Sequence, residues 1–264
     1  MSNIFDIHRF WRYLKWEVSG IKDKYLFSIL ILGAFPIVMF TLNGLLGIIF
    51  TGTWKVPEEL GVNSIWIAIT IFILTFPAKT YGKITEKRYG SEWLMIPASP
   101  LEKTLSITVF TCVIAPVFLI AMLLVCDIAL GSIFPSTYGT PLLFREIHIN
   151  PEAIGLDSDF RFNAGALIYT GICCNILMFV LGSLCFKRSK AAKTLLVDFI
   201  VGLFIIAPIA IKFFYEGGLI GQIENAGDTF LIVERMKTLL WTWTGVEFLA
   251  LVAAIYYRIR TIKH

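Results

Sequence analysis

Tyr81–Ser106 reads YGKITEKRYGSEWLMIPASPLEKTLS, a polar island between two long apolar runs. Its middle, Ser91-Glu92-Trp93-Leu94-Met95-Ile96, has the pattern of a turn or two of amphipathic helix lying flat. Its end is sharper: Ser99, Pro100 and Glu102 fall at the N-cap, first and third positions of a helix. The Ser99 hydroxyl can accept the unpaired N–H of Glu102, and the carboxylate can reach back to the Ser99 N–H. Proline suits the first position because no donor is needed there. A helix therefore starts at Ser99, just before the chain enters apolar territory.

Composition sets the class on either side of that island. The chain is 57% hydrophobic and only 16% charged, with a mean hydropathy of +0.76. A soluble domain carries about a quarter charged residues. This chain has too little polar surface to cover a soluble globule, so the expectation is an all-α, multi-pass membrane protein, one transmembrane domain over residues 1–264. The net charge of +4 is modest, and no nucleic-acid partner is expected. Cys112, Cys126, Cys173, Cys174 and Cys185 all fall inside apolar runs. None is spaced for zinc or placed for an extracellular disulfide, so they read as small apolar side chains. The first 25 residues lack the apolar core of a signal peptide.

Residues 4–18, IFDIHRFWRYLKWEV, put Ile7, Phe10, Trp11, Leu14 and Val18 on one helical face and His8, Arg12 and Lys15 on the other. With Trp11, Tyr13 and Trp16 at headgroup level, this reads as an interfacial amphipathic helix. A soluble helix packed on a partner is the other reading. Six spans follow, at about 26–50, 62–78, 105–130, 164–186, 194–214 and 238–257. Gly33, Pro36, Gly44 and Gly47 mark bends or close contacts in the first span, and Pro116 marks a kink in the third. The 131–163 and 215–237 stretches are loops; Thr229–Met236 has the pattern of a short helix.

Orientation follows from Lys and Arg. The N-terminal segment, the 79–104 loop, the 187–193 loop and the C-terminal tail hold 17 of the 23. The positive-inside rule then puts both termini in the cytoplasm and the 131–163 and 215–237 loops outside. All seven Trp fall at span edges or in amphipathic segments, an aromatic-belt pattern.

Catalytic signatures are missing. The three His (His8, His148, His264) lie outside the spans, and there is no G-x-S-x-G, H-E-x-x-H or P-loop string. No catalytic residue or metal ligand is assigned. Four ionisable residues in or near spans are candidates by default. Glu247 falls near the bilayer midplane, about ten residues into the sixth span at ~1.5 Å per residue. It is either a pathway carboxylate or a neutralised interhelical hydrogen-bonding group. Ala250 and Ala254 share its face, which is expected to pack on another helix. Asp198 is expected to form a boundary ion pair with Lys190 or Lys193. Asp127 sits at the outer end of the third span, within reach of water. Lys212 can snorkel toward Glu216.

An apolar knob followed by a capped restart is more than a connecting loop needs, so the island reads as a place where another molecule pushes. Gly90–Lys103, GSEWLMIPASPLEK, is similar to an LMLPAS-x-x-EK stretch of bacterial ABC permeases. The whole layout resembles the transmembrane subunit of the type-two class of ABC exporters: an N-terminal interfacial helix, six spans, termini inside and a coupling loop between spans two and three. The long loop after span three and the polar loop between spans five and six depart from the simplest form of that family, and both bear on the unidentified substrate.

The resemblance implies a bacterial inner-membrane protein that pairs with a second permease subunit, identical or homologous, and with a separate ATPase subunit. ATP and Mg belong to that partner, and no cofactor is expected in this chain. The 86–98 segment becomes the coupling helix. Trp93, Leu94, Met95 and Ile96 form its knob, Glu86, Lys87, Arg88 and Glu92 its charged rim, and Ser99, Pro100 and Glu102 its stiffening cap. The rival readings are an ion-coupled carrier, a membrane scaffold without an ATPase, or an intramembrane enzyme.

Overall fold

The computed structural model describes residues 5–54, 56, 57, 59–85, 90, 93, 95–138, 141, 164–215 and 226–262, with backbone alone at 21–24, 164, 205–215 and 226–237. The described chain is helical, with no strand among the described residues. The elements in order are α1 (Ile7–Gly33), α2 (Phe35–Thr51), α3 (Leu60–Tyr81) with a 3₁₀ turn at Gly82–Thr85, and α4 (Pro100–Val109). A π-helical turn at Phe110–Ile114 leads into α5 (Ala115–Ile133). Then come α6 (Pro135–Tyr138), α7 (Ala164–Cys185), α8 (Lys190–Tyr215) and α9 (Ala226–Thr261).

Among the described residues, four helical runs are long and apolar enough to cross a bilayer: Leu60–Thr85, Pro100–Ile133, Gly165–Cys185 and Thr238–Thr261. Tyr25–Gly33 and Phe35–Thr51, bent by 47°, make a fifth if they count as one span. The span expected over 194–214 lies in α8, whose side chains are described only as far as Phe204.

Two boundaries differ from the sequence reading. The amphipathic segment is not a separate element: α1 continues through it to Gly33. The chain turns at Ala34 instead, because Pro36 lacks an N–H and its ring excludes a straight continuation. The close contact expected at Gly33 is with α5, where a Cβ would come within 2.7 Å of Met122 Cβ. The Thr229–Met236 stretch is likewise no isolated helix, since α9 runs unbroken from Ala226.

The expected disturbance at Pro116 takes the form of the π turn one turn earlier. Proline at 116 cannot donate to the carbonyl of Cys112, four residues back. That carbonyl accepts the Tyr169 hydroxyl from α7 instead, with the Cys173 thiol 3.5 Å away. A freed backbone acceptor inside an apolar helical run is thus satisfied by a neighbouring helix.

The core is built around α7, which touches α3, α8, α9 and the π turn. Cys173, Ile176, Leu177, Val180 and Leu184 are buried along it. At the far end of the bundle Phe40, Leu60, Leu130 and Tyr138 form a second cluster. There the Tyr138 hydroxyl donates to Asp127 Oδ1 at 2.5 Å. Asp127 is 1% exposed, so the expectation that it reaches water is corrected: its carboxylate serves as an interior acceptor.

Close packing between α7 and α8 turns on one glycine. A Cβ on Gly182 would lie 1.8 Å from Thr194 Oγ1, whereas one on Gly171 would meet nothing within 4 Å. Gly182→Ala is expected to destabilise the bundle by about 1–3 kcal/mol, and Gly171→Ala to stay within about 1 kcal/mol of the parent. Thermal unfolding in detergent distinguishes the two.

Candidate functional site

Asp6, Arg9, Tyr13 and Glu17 recur at helical spacing along one face of α1 and its N-cap. Each meets the 81–106 segment through a polar contact, and together they build the site.

The first contact is at Glu102, whose side chain is fully buried. The capping box read from the sequence is formed: Ser99 Oγ accepts the Glu102 N–H at 3.2 Å, and Glu102 Oε2 accepts the Ser99 N–H at 2.8 Å. The same carboxylate also accepts the Asp6 N–H at 2.8 Å and the Arg9 guanidinium at 2.7 Å. Asp6 is itself the N-cap of α1, accepting the His8 and Arg9 N–H groups. One anion therefore joins the N-termini of α1 and α4, where helix dipoles favour negative charge.

The second contact is at Trp93. Its side chain is 9% exposed. The indole N–H donates to the Tyr13 hydroxyl at 3.0 Å. Lys103 Nζ donates to the Trp93 carbonyl at 2.9 Å and sits 4.4 Å from the ring centroid. Trp93 is thus an inward wedge, not the free knob read from its apolar pattern, because both its polar edge and its face find partners inside this chain. Met95 points the other way at 82% exposure. Ile96 is half-buried against the core. The Ala98 N–H returns to the Ile96 carbonyl at 2.8 Å around Pro97, a three-residue turn that proline favours. Glu86, Lys87, Arg88, Glu92 and Leu94 lie outside the described residues.

The third contact is at Glu17, 5% exposed. Its carboxylate accepts the Tyr81 hydroxyl at 2.9 Å and the Ser106 hydroxyl. Burial pushes this carboxyl up to about 7, against the opposing pull of the two hydroxyl donors.

Arg9, Glu17, Tyr81 and Ser106 are not singled out by sequence, which reads Tyr13 only as a headgroup-level aromatic and Lys103 only as the end of the permease-like stretch. Their one signal is the four-residue spacing of Arg9, Tyr13 and Glu17. Apolar periodicity chose a neighbouring face instead: Ile7 and Trp11 are exposed, while Phe10, Tyr13, Leu14 and Glu17 are buried.

The intramembrane candidates do not converge. Asp127 is at the opposite end of the bundle, on Tyr138. Glu247 and Asp198 are exposed and within electrostatic reach of each other across α8 and α9. The expectation that Glu247 packs against a helix is not met within this chain, because α9 turns Leu251, Ile255 and Ile259 inward. The boundary pair expected for Asp198 is replaced as well. Lys190 donates to the Gly82 carbonyl and to Thr85 Oγ1, and Lys193 lies near the Phe186 ring. The Lys212 side chain lies outside the described residues. Among the described residues no cluster of three His, Cys, Asp or Glu is placed to hold a metal ion.

No family, curated protein or solved structure matches this chain.

The Glu17 carboxyl gives the site a pH signature. An ordinary carboxyl ionises near 4.5 and this one near 7, so between those values the folded chain binds more protons than the unfolded one. Stability is then fullest below the lower value and falls, by roughly 3 kcal/mol, as pH rises to the upper one. Glu17→Gln keeps one carbonyl acceptor, puts an NH2 donor in place of the second oxygen for a hydroxyl oxygen to accept, and cannot titrate. It is expected to flatten that pH dependence, as read by thermal midpoints across the interval.

Proposed function

We propose that this chain is the permease subunit of a bacterial ABC exporter, with six spans, both termini cytoplasmic and the 86–98 segment as its coupling element. The observation that carries the reading is the pairing of Met95, an exposed apolar side chain, with Trp93, a neighbour locked into the chain's own helices. An exposed apolar side chain on a mobile loop transmits little. One held two residues from a buried anchor moves the helices that hold the anchor.

In this reading an ATPase subunit seats Met95 in an apolar groove. Closure of the ATPase on ATP and Mg drives the elbow. The push passes through Trp93 to Tyr13 on α1 and through Lys103 and Glu102 to α4. From α4 it reaches the third span, where the π turn supplies a place to bend. Trp93 thus acts as a brace, and contact with the partner falls to Met95, Leu94 and the 86–92 residues.

Asp198 and Glu247 support the second permease subunit. Two carboxylates on the outward apolar surface of α8 and α9 are costly against lipid and are accommodated by a partner helix that shields or hydrogen-bonds them. That arrangement favours an interface with another subunit over an internal ion path, and so the exporter over an ion-coupled carrier.

Affinity purification of the intact chain from its source membrane is expected to recover a soluble P-loop ATPase. Met95→Asp is expected to reduce that recovery about tenfold or more while leaving the thermal midpoint unchanged, because a charge in an apolar groove is strongly disfavoured and Met95 makes little contact at home. Wild-type chain that purifies without any ATPase, or Met95→Asp chain that retains it in full, sinks the proposal.

A further inference from the structure

Where α3 ends and α8 begins, the surface opens into a cleft of about 590 Å³. Lys79 and Lys83 line it from the end of α3, Lys187, Ser189 and Lys190 from the start of α8, and Tyr25 from α1. Its described lining thus holds four lysines and no carboxylate. The walls are fixed to one another. The Tyr25 hydroxyl donates to the Lys79 carbonyl at 2.8 Å, and Lys190 Nζ bridges the Gly82 carbonyl and Thr85 Oγ1. The cleft is therefore a pocket between three tied elements, and it falls within the ~300–1,000 Å³ range of ligand sites.

Ammonium groups that line a cleft offer charged N–H donors to an anion's oxygens. The chemistry that fits is a phosphate group, and its source is argued from position. Lys79 and Lys83 fall in the last turns of the Leu60–Thr85 span, where a headgroup lies. Directly along α8 from the cleft, Leu195, Leu196 and Phe199 are exposed. An acyl chain has an apolar wall to follow there, and a free phosphate gains nothing from it. Basic pockets between spans recognise anionic headgroups in this way.

We propose that this cleft binds the phosphate headgroup of an anionic phospholipid. The proposal rests on the bundle crossing a bilayer and not on the ATPase, so a failed co-purification does not touch it.

The test is native mass spectrometry of the intact purified chain with added phosphatidylglycerol or phosphatidylcholine. Wild type is expected to retain phosphatidylglycerol in preference. The triple variant Lys79→Gln, Lys83→Gln, Lys187→Gln, with the Lys190 tether intact, is expected to lose about tenfold or more of that affinity. A control with three other cations removed, Arg12→Gln, Lys15→Gln, Arg260→Gln, is expected to bind as wild type does. Equal loss in the control, or no loss in the cleft variant, overturns the site. Inorganic phosphate that displaces the lipid completely and raises the thermal midpoint as much as the lipid does overturns the lipid source. Thermal midpoints of both variants in detergent without lipid show that they are folded.

Discussion

Everything at the lysine-rich end of the molecule depends on the buried carboxylate of Glu102. A charge out of water is costly unless it is paired and fully hydrogen-bonded. Here Arg9 pairs with it, and the N–H groups of Ser99 and Asp6 complete its acceptors. Because both N–H groups belong to helix N-caps, one anion fixes two helices end to end. The register of α1 follows from that anchor. With Arg9 placed, helical spacing brings Tyr13 to Trp93 and Glu17 to Tyr81 and Ser106. Turning α1 by one residue would break all three contacts together.

This gives the elbow a stiffness that its composition does not suggest. Trp93 is held by its indole edge, its ring face and its carbonyl, from two different helices. The 34-residue run Pro100–Ile133 continues from the elbow as one helical rod. Its weak point is the π turn, where the helix ladder is already altered and Tyr169 substitutes for the missing donor. Stiff and compliant parts thus alternate along one rod: a capped start, a softened turn and a regular helix packed on α2 at the far end.

Much of the fold was legible from sequence. The Ser99 cap is a local property of four residues, and it forms as read. The helical runs follow from apolar length, and the expected fourth span, 164–186, differs from α7 by one residue. The kink expected at Pro116 is not what the third run shows: a π turn at Phe110–Ile114 precedes the proline, and its open carbonyl takes a hydroxyl offered by α7. The role given to Trp93 changed, because a period of apolar residues shows that a side chain wants burial but not which surface buries it.

Sequence alone determined the helical class, four or five of the six expected membrane-crossing segments and the capped start at Ser99, since each arises from residues within a few turns of one another. Tertiary structure alone decided which face of α1 is inside and what the buried charges do. Arg9, Tyr13 and Glu17 look like surface residues until Glu102, Trp93 and Ser106 arrive from 93, 80 and 89 residues away. A polar side chain is stable in the interior only when a distant partner satisfies it, and no local pattern records that partner.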